Sequence, residues 1–486
     1  MDNKNEEILT NKEIDELSVY LRNGETDIKE QRESVEDIKL SKNDIVSNEG
    51  GSLNYSRDSN STASNYFNLS DYASWRTVIE KNFPNLLLAA EVGASQYGQL
   101  LIKDISNPCA IALIDVPSAG KTITLNLFSK FDKSLTLDNF TPASFVSQAA
   151  NVKTEKLKDV DLLPKVRNKV LIIRDLAPLF GLRDDDLLKS MGILTRVLDG
   201  EGLELHAGVH GSRGYSGDYS FMFLAASTPI APKVFKLMGN LGSRLFFLHL
   251  RSERKSEETL ASQLVITSWK QKQQISQEAT NSFLGNLWAS YPNGIEWDKT
   301  KDPKDCLLII SRCANLLSKL RGSINVWKED YGNHEEYSYQ EPVIEMPDRI
   351  SQILYNLTRG HALISGRTNI DYDDLGIVIN ITFDSAALSR SRLFRLLIKN
   401  GGQITSDEVV SKINCSKPTA LKEIEILKVL GLVDVKDSEF SIPGRPVKIA
   451  ILKEELSWFI SEECQFILKA IEEYYGGVLR QEEQGK

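Results

Sequence analysis

Asp115-Val116-Pro117-Ser118-Ala119-Gly120-Lys121-Thr122 follows directly on an apolar run, Ala110-Ile111-Ala112-Leu113-Ile114, and leads into a helical pattern over 123–131. Strand, small-residue loop, Gly-Lys-Thr and helix, in that order, predict a phosphate-binding loop. Backbone N–H groups and a helix N-terminus at such a turn surround an anion. Asp115, Ser118, Ala119 and Gly120 would line the nucleotide. Lys121 would reach the β- and γ-phosphates of ATP, and the Thr122 hydroxyl would ligate Mg2+. Asp115 stands where the pattern has its first Gly. It tolerates turn geometry better than most residues and brings a negative charge near the phosphates.

The 486 residues are enough for two or three domains, and at 41% hydrophobic content they are enough for sizeable cores. No apolar stretch approaches the roughly 18–20 residues that span a bilayer, so no membrane partner is expected. The polar start over 1–9 is unlike a signal peptide. Five scattered cysteines (109, 306, 313, 415, 464) read as free thiols of a reducing cytoplasm rather than as a zinc site or disulfide frame. The net charge of −9 is unevenly spread. Residues 1–70 hold 8 Lys and Arg against 15 Asp and Glu, whereas 386–453 hold 12 against 7. An acidic tail therefore sits at one end and a basic module near the other.

The expected organisation has five parts: an acidic disordered tail over 1–70, which is a candidate protein-partner segment, an α/β core with a parallel sheet over 71–255, a helical lid over 256–387, a basic module over 388–453, and a closing amphipathic helix over 454–486. Within the lid, 321–345 is polar and aromatic and reads as an insert or loop.

A second strand pattern, 169–173, has the apolar run 170–173 and ends in Arg174-Asp175, with Asp175 54 positions after Lys121. A carboxylate there would hold the Mg2+ shell or activate water. Asp175 is the candidate, and Arg174 would stand in the metal-site position if four apolar residues precede the pair. Further on, 202–209 and 219–226 are strand-like, joined by 211–218 as a glycine-rich hairpin tip. The tip is either solvent-exposed or enters a nucleic-acid channel, with Arg213 on phosphate and Tyr215 stacking. The second strand ends in Ser227-Thr228, where Thr228 (or Ser227) would position the attacking water. Arg244 follows a Gly-rich turn and precedes an apolar strand. Its planar fork suits a neighbouring subunit's γ-phosphate, and a local salt bridge is the alternative.

In 390–452, three helical patterns and two strand-like ones follow one another, with a short turn at 414–416 before the third helix. That is the order of a winged helix-turn-helix. Lys417 and Lys422 on the third helix, with Arg445 and Lys448 on the wing, would contact DNA phosphates rather than read bases.

Taken in order, these elements resemble those of AAA+ P-loop ATPases across roughly 75–385. The hairpin, the Ser-Arg-apolar context of Arg244 and the C-terminal winged helix resemble the minichromosome-maintenance-like helicases. That resemblance implies a homo-oligomeric ring acting on DNA, with ATP and Mg2+ held between subunits. Asp175, Thr228 and Arg244 would be catalytic, and Arg359 in Thr358-Arg359-Gly360-His361 would be a second sensor that reaches the γ-phosphate. Asp115 and the single acid at Asp175 depart from the family pattern, and the alternative is a nucleotide-gated DNA-binding switch with little turnover.

Overall fold

The computed structural model describes residues 69–147, 157–207, 211–242, 244–252, 254–265, 268–331, 334–438 and 447–475. Residues 1–68 of the acidic tail, Arg445 and the end of the closing helix lie outside them. In chain order the α/β part comprises α1 (Leu69–Asn82), α2 (Leu87–Gln99), β1 (Ala110–Ile114), α3 (Lys121–Phe128), β2 (Ser134–Leu137), α4 (Leu157–Val160), α5 (Leu162–Val166), β3 (Val170–Ile173), α6 (Ala177–Phe180), α7 (Asp184–Val197), β4 (Gly202–Ala207), β5 (Gly211–Ser216), β6 (Met222–Ser227), α8 (Pro232–Leu241) and β7 (Leu245–His249). Five of these strands form one parallel sheet in the order β2-β3-β6-β1-β7.

The central strands are continuous apolar runs because both faces are covered. Along β1, Ile111 and Leu113 enter one core while Ala110, Ala112 and Ile114 enter the other. Parallel pairing places all five C-terminal strand ends on one edge, and the Gly-Lys-Thr loop leaves β1 there.

A helical block follows: α9 (Glu257–Val265), α10 (Trp269–Ser290), α11 (Lys304–Arg321), a hairpin of β8 (Val326–Tyr331) and β9 (His334–Tyr339), α12 (Asp348–Ile364) and α13 (Leu375–Asp384). The segment expected as an insert or loop is thus this antiparallel hairpin. Helix α12 lies against α2 at very short range. A Cβ on Gly98 would stand 2.5 Å from the Gly360 carbonyl oxygen, and one on Gly360 2.4 Å from that of Ser95.

The last part comprises α14 (Leu388–Lys399), β10 (Gln403–Thr405), α15 (Ser406–Ile413), α16 (Lys417–Val429), β11 (Val433–Asp437), β12 (Lys448–Leu452) and α17 (Glu462–Tyr475), with an antiparallel sheet in the order β10-β12-β11. Thr405 and Glu408 close a capping box at the start of α15, and the Ser416 hydroxyl accepts from the Thr419 N–H at the start of α16. Asn414 takes left-handed backbone (φ 57°) between the two helices. This part shares its core with the helical block, and all described residues belong to one compact unit. Among them no helix is long and apolar enough to cross a membrane.

Candidate phosphate-binding site

The loop turns through two left-handed residues, Ser118 (φ 68°) and Gly120 (φ 100°). The φ of Gly120 favours glycine, and a Cβ there would also press on Leu86 Cδ2 at 2.8 Å. Helix α3 then starts at Lys121, so its unpaired N–H groups face the loop's hollow. Lys121 Nζ donates to the carbonyl oxygens of Asp115 (2.6 Å) and Val116 (2.7 Å). Partial burial lowers its pKa from the ordinary value, and the carboxylates of Asp115 and Asp175 oppose that shift. The Thr122 side chain is exposed in the first turn of α3.

Asp115 does not take the left-handed backbone that a Gly at its position suggested. Its carboxylate is held as a clasp: Oδ1 accepts from Val116 N (2.7 Å) and Oδ2 from Ser252 N (3.1 Å). Ser252 Oγ donates in turn to the Ala119 carbonyl (3.0 Å). The segment leaving β7 therefore braces the loop at both ends. Sequence reasoning missed Ser252, although a residue just past an apolar strand at the same sheet edge is the place to look.

β1 and β6 pair Ile114 with Ser227, and β3 and β6 pair Ile173 with Ala225. Asp175, Ser227 and Asp115 therefore emerge together at one edge. Asp175 is exposed, and its Oδ1 accepts from Ala177 N (2.8 Å) in the turn before α6. Four buried apolar residues precede Arg174, so Arg174 occupies the first position after the strand and Asp175 the second. Arg174 bonds Asp138 Oδ1 at 2.7 Å. Ser227 is buried as the last residue of β6, and Thr228 is half-buried just beyond it. The hydroxyl of Thr122 and the carboxylate of Asp175 are hard oxygen donors suited to Mg2+. Among the described residues no three His, Cys, Asp or Glu side chains cluster as a metal site.

Two expectations require correction. Arg359 is fully buried in α12, far from the loop. Its Nη1 donates to Asp104 Oδ1 and its Nη2 to Asn356 Oδ1, both at 2.6 Å, and its guanidinium lies 4.5 Å from the Tyr355 ring centroid. Asn356 Nδ2 donates to the Ser106 carbonyl (2.5 Å), which places this cluster where the chain enters β1, at the opposite sheet edge. Arg359 fastens α12 and does not face a phosphate.

The hairpin is also displaced along the sequence. β5 is 211–216, pairing Leu203 with Tyr215 and Leu205 with Arg213, so the tip is 208–210, outside the described residues. Gly214 fits this strand because a Cβ there would be 2.1 Å from the Leu203 carbonyl oxygen. Arg213 is a half-buried strand residue, and Tyr215 donates its hydroxyl to Asp161 Oδ2 (2.8 Å) instead of standing ready to stack.

Finally, the basic face is largely matched by neighbouring acids. Lys417 pairs with Asp407 and donates to Ser406 Oγ, while Lys448 Nζ is 2.5 Å from Asp437. Lys448 N also bonds Ser406 Oγ, so these two lysines converge, and Lys422 is exposed on α16. Such exposed pairs are weak enough for a phosphate to displace.

Arg244 pairs with Asp199 in a fork, Nε to Oδ1 at 2.7 Å and Nη2 to Oδ2 at 3.2 Å. Its Nη1 donates to the Gly242 carbonyl at 2.8 Å, at the C-terminus of α8. It precedes Leu245, which pairs with Ala110, so it lies at the sheet edge opposite the loop. No protein-family model matches the chain, and no curated protein matches its sequence.

Proposed function

We propose that the chain is an ATP-binding, DNA-associated P-loop ATPase of the AAA+ type, working as a homo-oligomeric ring with Mg2+. One observation carries this reading: three adjacent strands, β3, β6 and β1, deliver Asp175, Ser227-Thr228 and the Lys121 loop to one edge of a parallel sheet. Ligands of open α/β sheets bind at that edge. The strand order β2-β3-β6-β1-β7 and the hairpin inserted before β6 suit an AAA+ core. In this reading Lys121 and the loop amides hold the phosphates, and Thr122 and Asp175 complete the Mg2+ shell. Thr228, or Ser227, orients water. α14–α16 with β10–β12 act as a winged helix on DNA, with Lys417 and Lys448 beside Ser406.

Lys121→Ala tests the reading. ATP binding, read with a fluorescent ATP analogue, should be lost while the melting transition stays in place. Unchanged affinity would refute nucleotide binding at this loop. A second reading, the nucleotide-gated switch with little turnover, is favoured by Arg174 in the first post-strand position and by the Ala177 N–H that occupies Asp175 Oδ1. Tight ATP binding with no steady-state hydrolysis, with or without single-stranded DNA, would select the switch.

A further inference from the structure

The brace on the phosphate loop continues into the body of the molecule. Ser252, which holds Asp115 and Ala119, follows Arg251, whose backbone is left-handed (φ 54°). An arginine keeps that conformation only where its surroundings fix it. Here they do. Arg251 Nη1 donates to Asn380 Oδ1 at 2.6 Å, and Nη2 reaches both oxygens of Asp384, at 3.2 and 3.3 Å. Asp384 ends α13 and is fully buried. It also accepts from His249 N (2.9 Å) at the end of β7 and from Arg395 Nη2 (2.7 Å). Arg395 belongs to α14, the first helix of the C-terminal part, and its side chain is 2% exposed. Burial alone would raise the Asp384 pKa, but Arg251 and Arg395 hold it down at about 2, so the carboxylate stays charged.

Polar contacts, continued through the Arg251–Ser252 peptide bond, thus join the phosphate loop to α14. At the loop end something must move when a nucleotide arrives. Lys121 Nζ sits on the carbonyls of Asp115 and Val116, and to meet a phosphate it must leave them. Asp115 and Val116 are the same residues that the clasp to Ser252 holds.

We propose that Arg251 and Asp384 are positioning residues for the phosphate loop and that, through Arg395, they couple the loop's empty and nucleotide-bound states to the seating of the C-terminal part. The proposal rests on the nucleotide reading above and adds its regulation. Coupling of this kind is reciprocal: what loosens α14 must weaken the nucleotide, and the nucleotide must tighten α14.

Hydrogen exchange on the full chain, with and without ATP and Mg2+, tests this. ATP should slow exchange in 121–128 and also in 388–399. Arg395→Met should weaken the fluorescent ATP analogue by at least about fivefold, the low end of usual site-to-site coupling. It should also abolish the response of 388–399 while that of 121–128 persists. Arg395→Lys should restore part of both, which a loss of packing alone would not. Asp115→Ala combined with Ser252→Ala removes both the carboxylate that accepts from Ser252 N and the hydroxyl that donates to Ala119, and so cuts the run at its loop end without touching the buried charges. It decides the matter if Arg395→Met does not fold, and it should likewise silence 388–399. Protection of 121–128 without 388–399 in the parent, or a full 388–399 response in the Asp115→Ala, Ser252→Ala double variant, overturns the coupling alone. Protection of neither segment overturns the nucleotide reading and the coupling with it.

Discussion

Raising the pH from 6.5 to above 9 should remove a defined share of the stability, and replacing His361 should abolish that loss. His361 lies fully inside, between α12, α2 and the turn before α13. Its Nδ1 is 2.6 Å from Asp374 Oδ1, and its Nε2 is 3.8 Å from Glu91 Oε2. Tyr72 and Tyr475 donate to the two oxygens of Glu91, each at 2.6 Å, so the same carboxylate anchors α1 and the closing helix α17. Burial pulls the His361 pKa down, but bonds and charges from Asp374 and Glu91 outweigh it and raise the value from 6.5 to about 9. The folded chain then holds one proton more than the unfolded chain between these pH values. The contribution is complete below 6.5 and lost as pH rises through 9, at about 1.4 kcal/mol per pH unit and about 3 kcal/mol in all. Cysteine thiols pushed up by burial, such as Cys306 at about 12, add a loss in the same direction once unfolded thiols ionise. A difference measurement removes them. Urea titrations of the parent and His361→Gln should differ by about 3 kcal/mol at pH 6 and converge by pH 10. Parallel curves across that range would refute a protonated His361.

Three further outcomes are expected. Arg359→Met should lower stability by about 2–3 kcal/mol in urea titration, less than a fully buried pair costs because Asp104 is 34% exposed. Nucleotide affinity measured below the melting transition should stay within about twofold of the parent, since Arg359 contacts no part of the loop. Replacing Lys417, Lys422, Arg445 and Lys448 by Ala should weaken DNA binding and flatten its dependence on salt by roughly 0.9 in log–log slope for each phosphate no longer neutralised, read by fluorescence anisotropy. Arg244→Ala should bind ATP as the parent does and turn it over roughly a thousandfold more slowly, and mixing it with Lys121→Ala subunits should restore part of the rate.

The parallel sheet is legible in the sequence because its strands are short apolar runs, and the run at 110–114 is β1 residue for residue. Lys121 is legible because its loop is local: strand, turn and helix lie within 20 residues. The hairpin tip is not, because three glycines in 211–217 look like turn residues. Two of them, Gly211 and Gly214, lie within β5, and Gly214 there serves close backbone approach rather than flexibility. The β8–β9 hairpin hides in a polar stretch, although Gly332-Asn333 between aromatic strands is a recognised turn pair. Arg359 and Arg244 show where local reading stops. An Arg on an amphipathic helix looks the same whether it meets a phosphate or Asp104, 255 positions away, and only the packing of α12 on α2 decides. The same holds for Asp115, whose partner Ser252 is 137 positions away.

The position of Arg244 makes oligomerisation and turnover one question. β1 separates it from the loop: Leu245 is level with Ala110, and the loop begins after Ile114. Six residues of strand at about 3.3 Å each put Arg244 about 20 Å from the loop's first residue, on the opposite edge. A guanidinium side chain spans only a third of that distance, so Arg244 cannot serve its own nucleotide. It is also held: Asp199 takes two of its donor groups, and two carbonyls at the end of α8 share a third. Its side chain is 10% exposed and that of Asp199 17%, so the fork is stronger than a surface ion pair, and a phosphate must compete with it. A neighbour's triphosphate offers several negative charges against one carboxylate. In the proposed ring, the exchange would be favourable only where a second subunit brings a loaded phosphate loop to this edge. An isolated chain keeps the fork closed, which suits a machine that hydrolyses ATP only when assembled.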